Sequence, residues 1–255
     1  MGRLQDKVTI VTGAARGQGE ATARLFAAEG ARVVLTDVLK HEGEQVARSI
    51  GESAIFLEHD VSDEAAWAAV VESTLERFGQ VDVLVNNAAV CLFAPLMNTG
   101  KADFDRMLSI NLLGCFLGMK AVVPAMQAAG RGSIVNISSV NGLRGTIGMS
   151  AYDAGKWAVR GMSKGVALEL APLGIRVNTV HPGAIDTQML NPGDALDTSK
   201  MAKVFGIAFG RVGRAEEVAH ASLFLASDDA SYISGAELAV DGTWSAGLLT
   251  NITDM

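Results

Sequence analysis

Val8-Thr9-Ile10-Val11-Thr12 runs directly into Gly13-Ala14-Ala15-Arg16-Gly17-Gln18-Gly19. The first five residues are a β-branched run and read as a buried strand that stops at Gly13. A helical pattern takes over at residues 19–29 and is closed by Gly30. Strand, glycine turn and helix start, in that order, are where a doubly wound fold holds a pyrophosphate. Glycine lets the backbone turn sharply and approach a ligand closely. The helix start adds free N–H groups and the positive end of its dipole. The spacing is Gly-xxx-Gly-x-Gly, unlike the Gly-x-Gly-xx-Gly of the common dinucleotide fingerprint. Gly13, Arg16, Gln18 and Gly19 are the candidate phosphate-side residues of this turn.

The same alternation continues outward. Residues 32–37, 54–57, 81–85, 133–137, 176–180 and 236–240 read as strands. Residues 42–50, 63–78, 102–129 and 152–171 read as helices, followed by shorter ones at 198–209 and 215–226. Ser62 or Asp63 is the expected N-cap of the third helix, and Pro124 is placed to kink the long one. Strands alternating with helices imply βαβ units and a parallel sheet covered on both faces. The expected fold is a Rossmann-type doubly wound α/β domain spanning 1–255, with seven parallel strands and helices on both faces.

Bulk composition excludes several function classes. The net charge is −7, with no basic patch for nucleic acid. No apolar run is read as reaching the roughly 20 residues that span a bilayer. The first residues lack a signal-peptide core, so a cytoplasmic protein is expected. Cys91 and Cys115 make no metal or redox motif, and both are expected to be buried free thiols. No metal site is expected.

Asp37 closes the second strand, about 20 residues beyond the glycines, where an acid accepts from the adenosine ribose hydroxyls. It would repel a 2′-phosphate and so favours NAD over NADP. Arg16 pulls the other way, but a carboxylate beside a phosphate is costly. Asp60 and Val61 end the third strand at the same sheet edge and are candidate adenine contacts. Asn86-Asn87-Ala88-Ala89 has no bulky side chain after its paired amides, which fits backbone lying against a cofactor at Asn87 and Ala88.

Tyr152 and Lys156 stand four residues apart on one face of a helix. A phenol near pKa 10 is a poor acid or base at neutral pH. At about 5 Å and an effective dielectric of about 20, the ammonium favours phenolate by roughly 3 kcal/mol, about two pKa units. Tyr152 is therefore expected to have a lowered pKa and to serve as a proton donor and acceptor. Ser139 follows the fifth strand, where a hydroxyl can hydrogen-bond a substrate oxygen. Asn111 is a mediocre helix former inside an apolar helix, and its amide is read as holding a water between Lys156 and solvent.

Taken together, these residues resemble the short-chain dehydrogenase/reductase family over nearly the whole chain. The match runs from Thr12-Gly13 to Val240-Asp241-Gly242 and includes His181-Pro182-Gly183. The resemblance implies that Tyr152 is the general acid/base and that Lys156 lowers its pKa and binds the nicotinamide ribose. It also implies that Ser139 polarises the substrate carbonyl and that Asn111 keeps a proton-relay water. Beyond Pro182 and Gly183, Thr187 would bind the nicotinamide carboxamide, with Ile185 behind it. Ala89 and Gly155 depart from the family's usual Gly and Ser, and neither removes a reacting group. Within the family the chain is most similar to bacterial NAD-dependent hydroxysteroid dehydrogenases of the 3α/20β type.

The substrate side is expected in residues 90–95, 140–150 and 184–209. Leu92, Phe93, Leu143, Met149, Met189, Leu190, Met201, Val204 and Phe205 make it apolar. Residues 186–210 are expected to form a lid hinged near Asn191-Pro192-Gly193-Asp194. The function expected is NAD-dependent interconversion of a lipophilic secondary alcohol, a hydroxysteroid or a bulky or cyclic alcohol, and its ketone. The alternatives are a 3-oxoacyl-[acyl-carrier-protein] reductase, which the acidic charge and Asp37 oppose, and a nucleotide-sensing protein without chemistry, which would have no use for Tyr152 and Lys156. A homotetramer is implied by the family, with the apolar end at 244–250 as one contact.

Overall fold

A computed structural model describes residues 2–194 and 197–247. Its sheet contains β1 Val8–Thr12, β2 Arg32–Asp37, β3 Ala54–Glu58, β4 Val83–Asn86, β5 Gly132–Ile137, β6 Ile175–Pro182 and β7 Glu237–Val240. All neighbours pair parallel, in the order β3-β2-β1-β4-β5-β6-β7. The chain walks outward from β1 to β3, then returns to lay β4 on the other side of β1. That reversal opens a crevice at the carboxyl ends of β1 and β4. Seven parallel strands with helices around them make the Rossmann-type architecture expected.

The β-branched strands are dry because both faces are covered. On one face α1 (Gly17–Ala28), α2 (Lys40–Ile50) and α8 (Ala215–Ala226) bring Phe26, Val46 and Leu223 onto Val11, Val33 and Val85. On the other, α3 (Glu64–Phe78), α5 (Gly114–Ala129) and α6 (Ser150–Leu170) bring Trp67, Met126 and Val159 onto Ile10, Leu84 and Ile134. Asp63 is the N-cap of α3, accepting from Ala65 N at 2.8 Å. Two glycines let α5 approach closely: a Cβ at Gly114 would lie 2.7 Å from Val61 Cγ2, and one at Gly118 2.6 Å from Asn86 Oδ1.

The long helix expected at 102–129 is interrupted, but not at Pro124, which lies inside α5. The break is a π-helical turn at Ser109–Leu113, between α4 (Lys101–Leu108) and α5. There Gly114 N–H reaches back five residues to Ser109 O. Such turns gather at functional sites, and this one carries Asn111.

The stretch Lys101–Ala129 is long and apolar enough, by length and composition, to cross a membrane, contrary to the sequence reading. Its Met119, Val122 and Met126 are instead buried against the sheet. The lid region contains α7 (Thr198–Phe205), which ends at Phe205 rather than 209. Residues 195–196 of the lid and 248–250 of the expected C-terminal contact lie outside the described residues.

Candidate active site

The site gathers near the carboxyl ends of the strands. At the end of β1, the Thr12 hydroxyl accepts from both Asn87 N and Ala88 N at 3.0 Å. The Asn87 amide donates in return to Thr12 O at 2.9 Å and Gly13 O at 3.2 Å. Asn87 thus braces the glycine turn from behind. Thr12 is the missed partner, and its signal was a hydroxyl residue at the last strand position before Gly13. The turn tolerates no bulk: Gly13 has φ +64°, and a Cβ at Gly19 would lie 2.1 Å from Gly13 O.

These residues fit a dinucleotide. Arg16, at the N-cap of α1, is exposed and makes no side-chain cap, so the positive helix end is left to a ligand. Gln18 Oε1 is buried without a protein partner. Asp37 accepts from Ala15 N and Leu39 N, both at 3.0 Å, which ties its carboxylate to the glycine turn. Asp60 is exposed and is turned onto its own loop, accepting from Ser62 N and Oγ. This local turn takes up Oδ1 of Asp60, and Val61 beside it is buried against α5. On the other side of the crevice, Gly183 N donates to Val240 O, and Ile185 is buried and bridged to Gly213. Thr187 stands beside the glycine turn: a Cβ on Gly17 would lie 3.3 Å from its Cγ2.

The chemical end is built from β5, α6 and the π turn. Tyr152 lies in the first turn of α6, with Lys156 one turn on and its Nζ 5.5 Å from the phenol ring centroid. Lys156 is 2% exposed and donates to Ile137 O at 2.9 Å, bridging α6 to the end of β5. Ser139 accepts from Asn141 N at 3.1 Å and also hydrogen-bonds Tyr152.

Burial shifts the pair in a direction the spacing did not reveal. It pushes Lys156 down to about 8. It holds the Tyr152 phenol above its ordinary value, against the lowering pull of the Ser139 hydrogen bond. The expected lowering of Tyr152 is therefore reversed in this protein. In a dry site, loss of hydration penalises both charged forms.

Asn111 has an anchor that the sequence did not reveal: Oδ1 accepts from Val90 N and Nδ2 donates to Val90 O, both at 2.8 Å. The side chain thereby holds the start of the 90–95 segment. A cavity of about 10 Å³ lies between Asn111, Lys156, Thr12 and Asn86, close to the room one water needs.

The substrate side is only partly as read. Phe93, Met189 and Val204 are exposed. Leu190, Met201 and Phe205 instead pack on Ala184, Ala202 and Ile207. Arg144 lies over the Trp244 ring at 4.1 Å, and Trp244 stacks on Phe205 at 4.9 Å, joining the 140–150 loop to α7. Cys91 is exposed, not buried, whereas burial pushes the Cys115 thiol up to about 12.

Comparison with known proteins agrees with this architecture. The family model described as Enoyl-(Acyl carrier protein) reductase matches residues 13–245. A 3-alpha-(or 20-beta)-hydroxysteroid dehydrogenase of Mycobacterium tuberculosis is 44% identical over 252 residues, covering 98% of this chain and 94% of that protein. A trans-4-hydroxycyclohexanecarboxylate dehydrogenase of Sinomonas cyclohexanicum is also 44% identical, covering 96% and 95%. The crystal structure of a 3-ketoacyl-(acyl-carrier-protein) reductase from Brucella melitensis, complexed with NADH, superposes with a TM-score of 0.89 at 36% identity, covering 95% and 99%. The chain belongs to the short-chain dehydrogenase/reductase family of nicotinamide-dependent oxidoreductases.

Proposed function

We propose that this enzyme is NAD-dependent and interconverts a lipophilic secondary alcohol, cyclic or steroidal, and its ketone. The observation that carries this reading is the buried Tyr152, Lys156 and Ser139 group at the sheet edge that also holds the glycine turn and Asp37. A bound nicotinamide supplies the hydride acceptor and donor. Ser139 orients the substrate oxygen, and Tyr152 takes the hydroxyl proton in oxidation or returns it in reduction. Lys156 holds the ribose and compensates the phenolate as it forms, and the small cavity beside Asn111 leads the proton outward. The phenol's raised resting pKa favours the protonated form, which suits donation to a ketone. The exposed apolar rim of Phe93, Met189 and Val204 suits a cyclic hydrocarbon skeleton.

A 3-oxoacyl-[acyl-carrier-protein] reductase is the second reading, favoured by the likeness to the Brucella melitensis enzyme. Asp37, whose negative charge would repel a 2′-phosphate, and the net charge of −7, unsuited to an acidic carrier, weigh against it. Turnover of steroid ketones, cyclic ketones, 4-oxocyclohexanecarboxylate and acetoacetyl thioesters, each with NADH and NADPH, separates the two. The expected result is NADH-linked reduction of cyclic or steroidal ketones. NADPH-linked reduction of the thioester alone, or no turnover of any member, overturns the proposal. Tyr152→Phe is expected to lower kcat by about 10³-fold while NADH still binds. Near-full activity in that variant removes Tyr152 from the chemistry.

A further inference from the structure

β5 leaves the sheet where the reacting hydroxyl has to be placed. Its last paired residue is Ile137, opposite Val180. Ser138 still clings to both neighbours: its N–H donates to Val180 O at 2.8 Å, and its hydroxyl to Lys156 O at 3.0 Å. Ser139 is past the ladder, and its carbonyl accepts from Gly142 N at 2.8 Å in the turn that follows. The imidazole of His181, on β6, is its second partner, with Nδ1 2.9 Å from Ser139 O and Nε2 2.9 Å from Thr179 Oγ1.

The chemistry of these partners fixes the ring. A carbonyl only accepts, so Nδ1 carries a proton. Burial holds the imidazole below its ordinary pKa, so Nε2 is bare and accepts from the Thr179 hydroxyl. Ala236 O, 3.1 Å from that hydroxyl, keeps the Thr179 N–H at 2.9 Å. His181 is 0% exposed, so it has no room to turn away.

We infer that His181 is a positioning residue: its Nδ1–H ties the Ser139 carbonyl to β6 and sets the Ser139 hydroxyl against Tyr152 and the substrate oxygen. This inference rests on the proposed role of Ser139. An error of about 1 Å in such placement costs about 10²-fold in rate, and the loss falls on kcat, because the His181 contacts are with Ser139 and Thr179 rather than the glycine turn.

The side-chain amide of asparagine puts an N–H where Nδ1–H stands, whereas glutamine extends to the Nε2 position. Steady-state kinetics of His181→Asn, His181→Gln, His181→Leu and Ser139→Ala, with NADH and the fastest ketone of the panel above, test the inference. His181→Leu and His181→Gln are expected to lose about 10- to 100-fold in kcat, with the KM for NADH changed by less than about twofold. His181→Asn is expected to recover to within about threefold of wild type, and its melting temperature to match that of His181→Gln. Equal losses in the Asn and Gln variants, or losses that track melting temperature, overturn the inference. So does full activity in all three alongside an inactive Ser139→Ala. An active Ser139→Ala instead removes the underlying role of Ser139.

Discussion

Asp37 shows how much a single side chain decides here. Its carboxylate does two tasks: it accepts from Ala15 N and Leu39 N, fixing the glycine turn, and it places a negative charge at the end of β2. Asp37→Asn removes the charge and, with one acceptor oxygen, keeps only one of the two backbone bonds, so the ratio between the two cofactors is the readout that isolates the charge. A unit charge about 5 Å from a phosphate is worth roughly 3 kcal/mol at an effective dielectric of about 20, or about 10²-fold. The ratio of kcat/KM for NADPH to that for NADH is therefore expected to rise by about 10²-fold in Asp37→Asn. An unchanged ratio would assign cofactor choice to another residue, Arg16 first. Asp37 was legible from sequence because its place follows from strand length and distance from the glycines. The sign of the Tyr152 shift was not, because residue spacing gives the Lys156 charge but not the dryness of the site. That dryness comes in part from Met107 of α4, which packs with Tyr152 and is remote in sequence.

At the scale of elements, the π turn at Ser109–Leu113 matters most. Sequence placed Asn111 in a helix and marked Pro124 as the irregular point. Propensity locates Pro124, but α5 tolerates it without breaking. The extra residue in the π turn leaves no propensity signal, because what holds it is tertiary: the Asn111 amide paired with both backbone groups of Val90. This pairing ties α4 and α5 to the segment that carries Phe93. In Asn111→Leu the part-buried Val90 N–H and C=O lose their partners, at up to about 1–3 kcal/mol each. The variant is expected to melt several degrees lower and to lose kcat, because the wall of the cavity beside Lys156 moves with it. Asn111→Asp keeps the acceptor for Val90 N but offers no donor to Val90 O, so it should fall between Leu and wild type. A Leu variant with wild-type melting and kcat would reduce the Val90 tether to an incidental contact.

Across the whole molecule, strand order and the crevice at its reversal were readable because alternation and glycine turns are local patterns. The surfaces were not, since they depend on which helix faces stay uncovered. Stability is one property set at this scale. His59 is 3% exposed, edge-on to Trp67 with ring centroids 4.4 Å apart, and burial lowers its pKa to about 4. The unfolded chain takes up this proton near 6.5 and the folded chain only near 4. Between these values unfolding binds a proton, so stability falls as pH drops, by up to about 3 kcal/mol. Urea midpoints of His59→Gln should fall less than wild type from pH 7 to pH 4, while Glu217 and Glu237 add a loss common to both at lower pH. Parallel slopes would exclude His59 as the source.

Assembly is the other property. Leu113 and Phe116 lie three residues apart on one helical face, at 42% and 44% exposure, and Trp157 and Leu168 lie eleven apart on α6, at 45% and 80%. Exposed apolar residues aligned on two neighbouring helices fit subunit contacts better than solvent. Sedimentation of the wild type is expected to give four times the 26.6 kDa of one chain. Phe116→Glu combined with Trp157→Glu places charges in that face, and burying them unpaired costs several kcal/mol. The double variant should sediment as a smaller species with unchanged far-ultraviolet circular dichroism. A wild-type protein that stays monomeric at micromolar concentration would leave these four side chains without a subunit role.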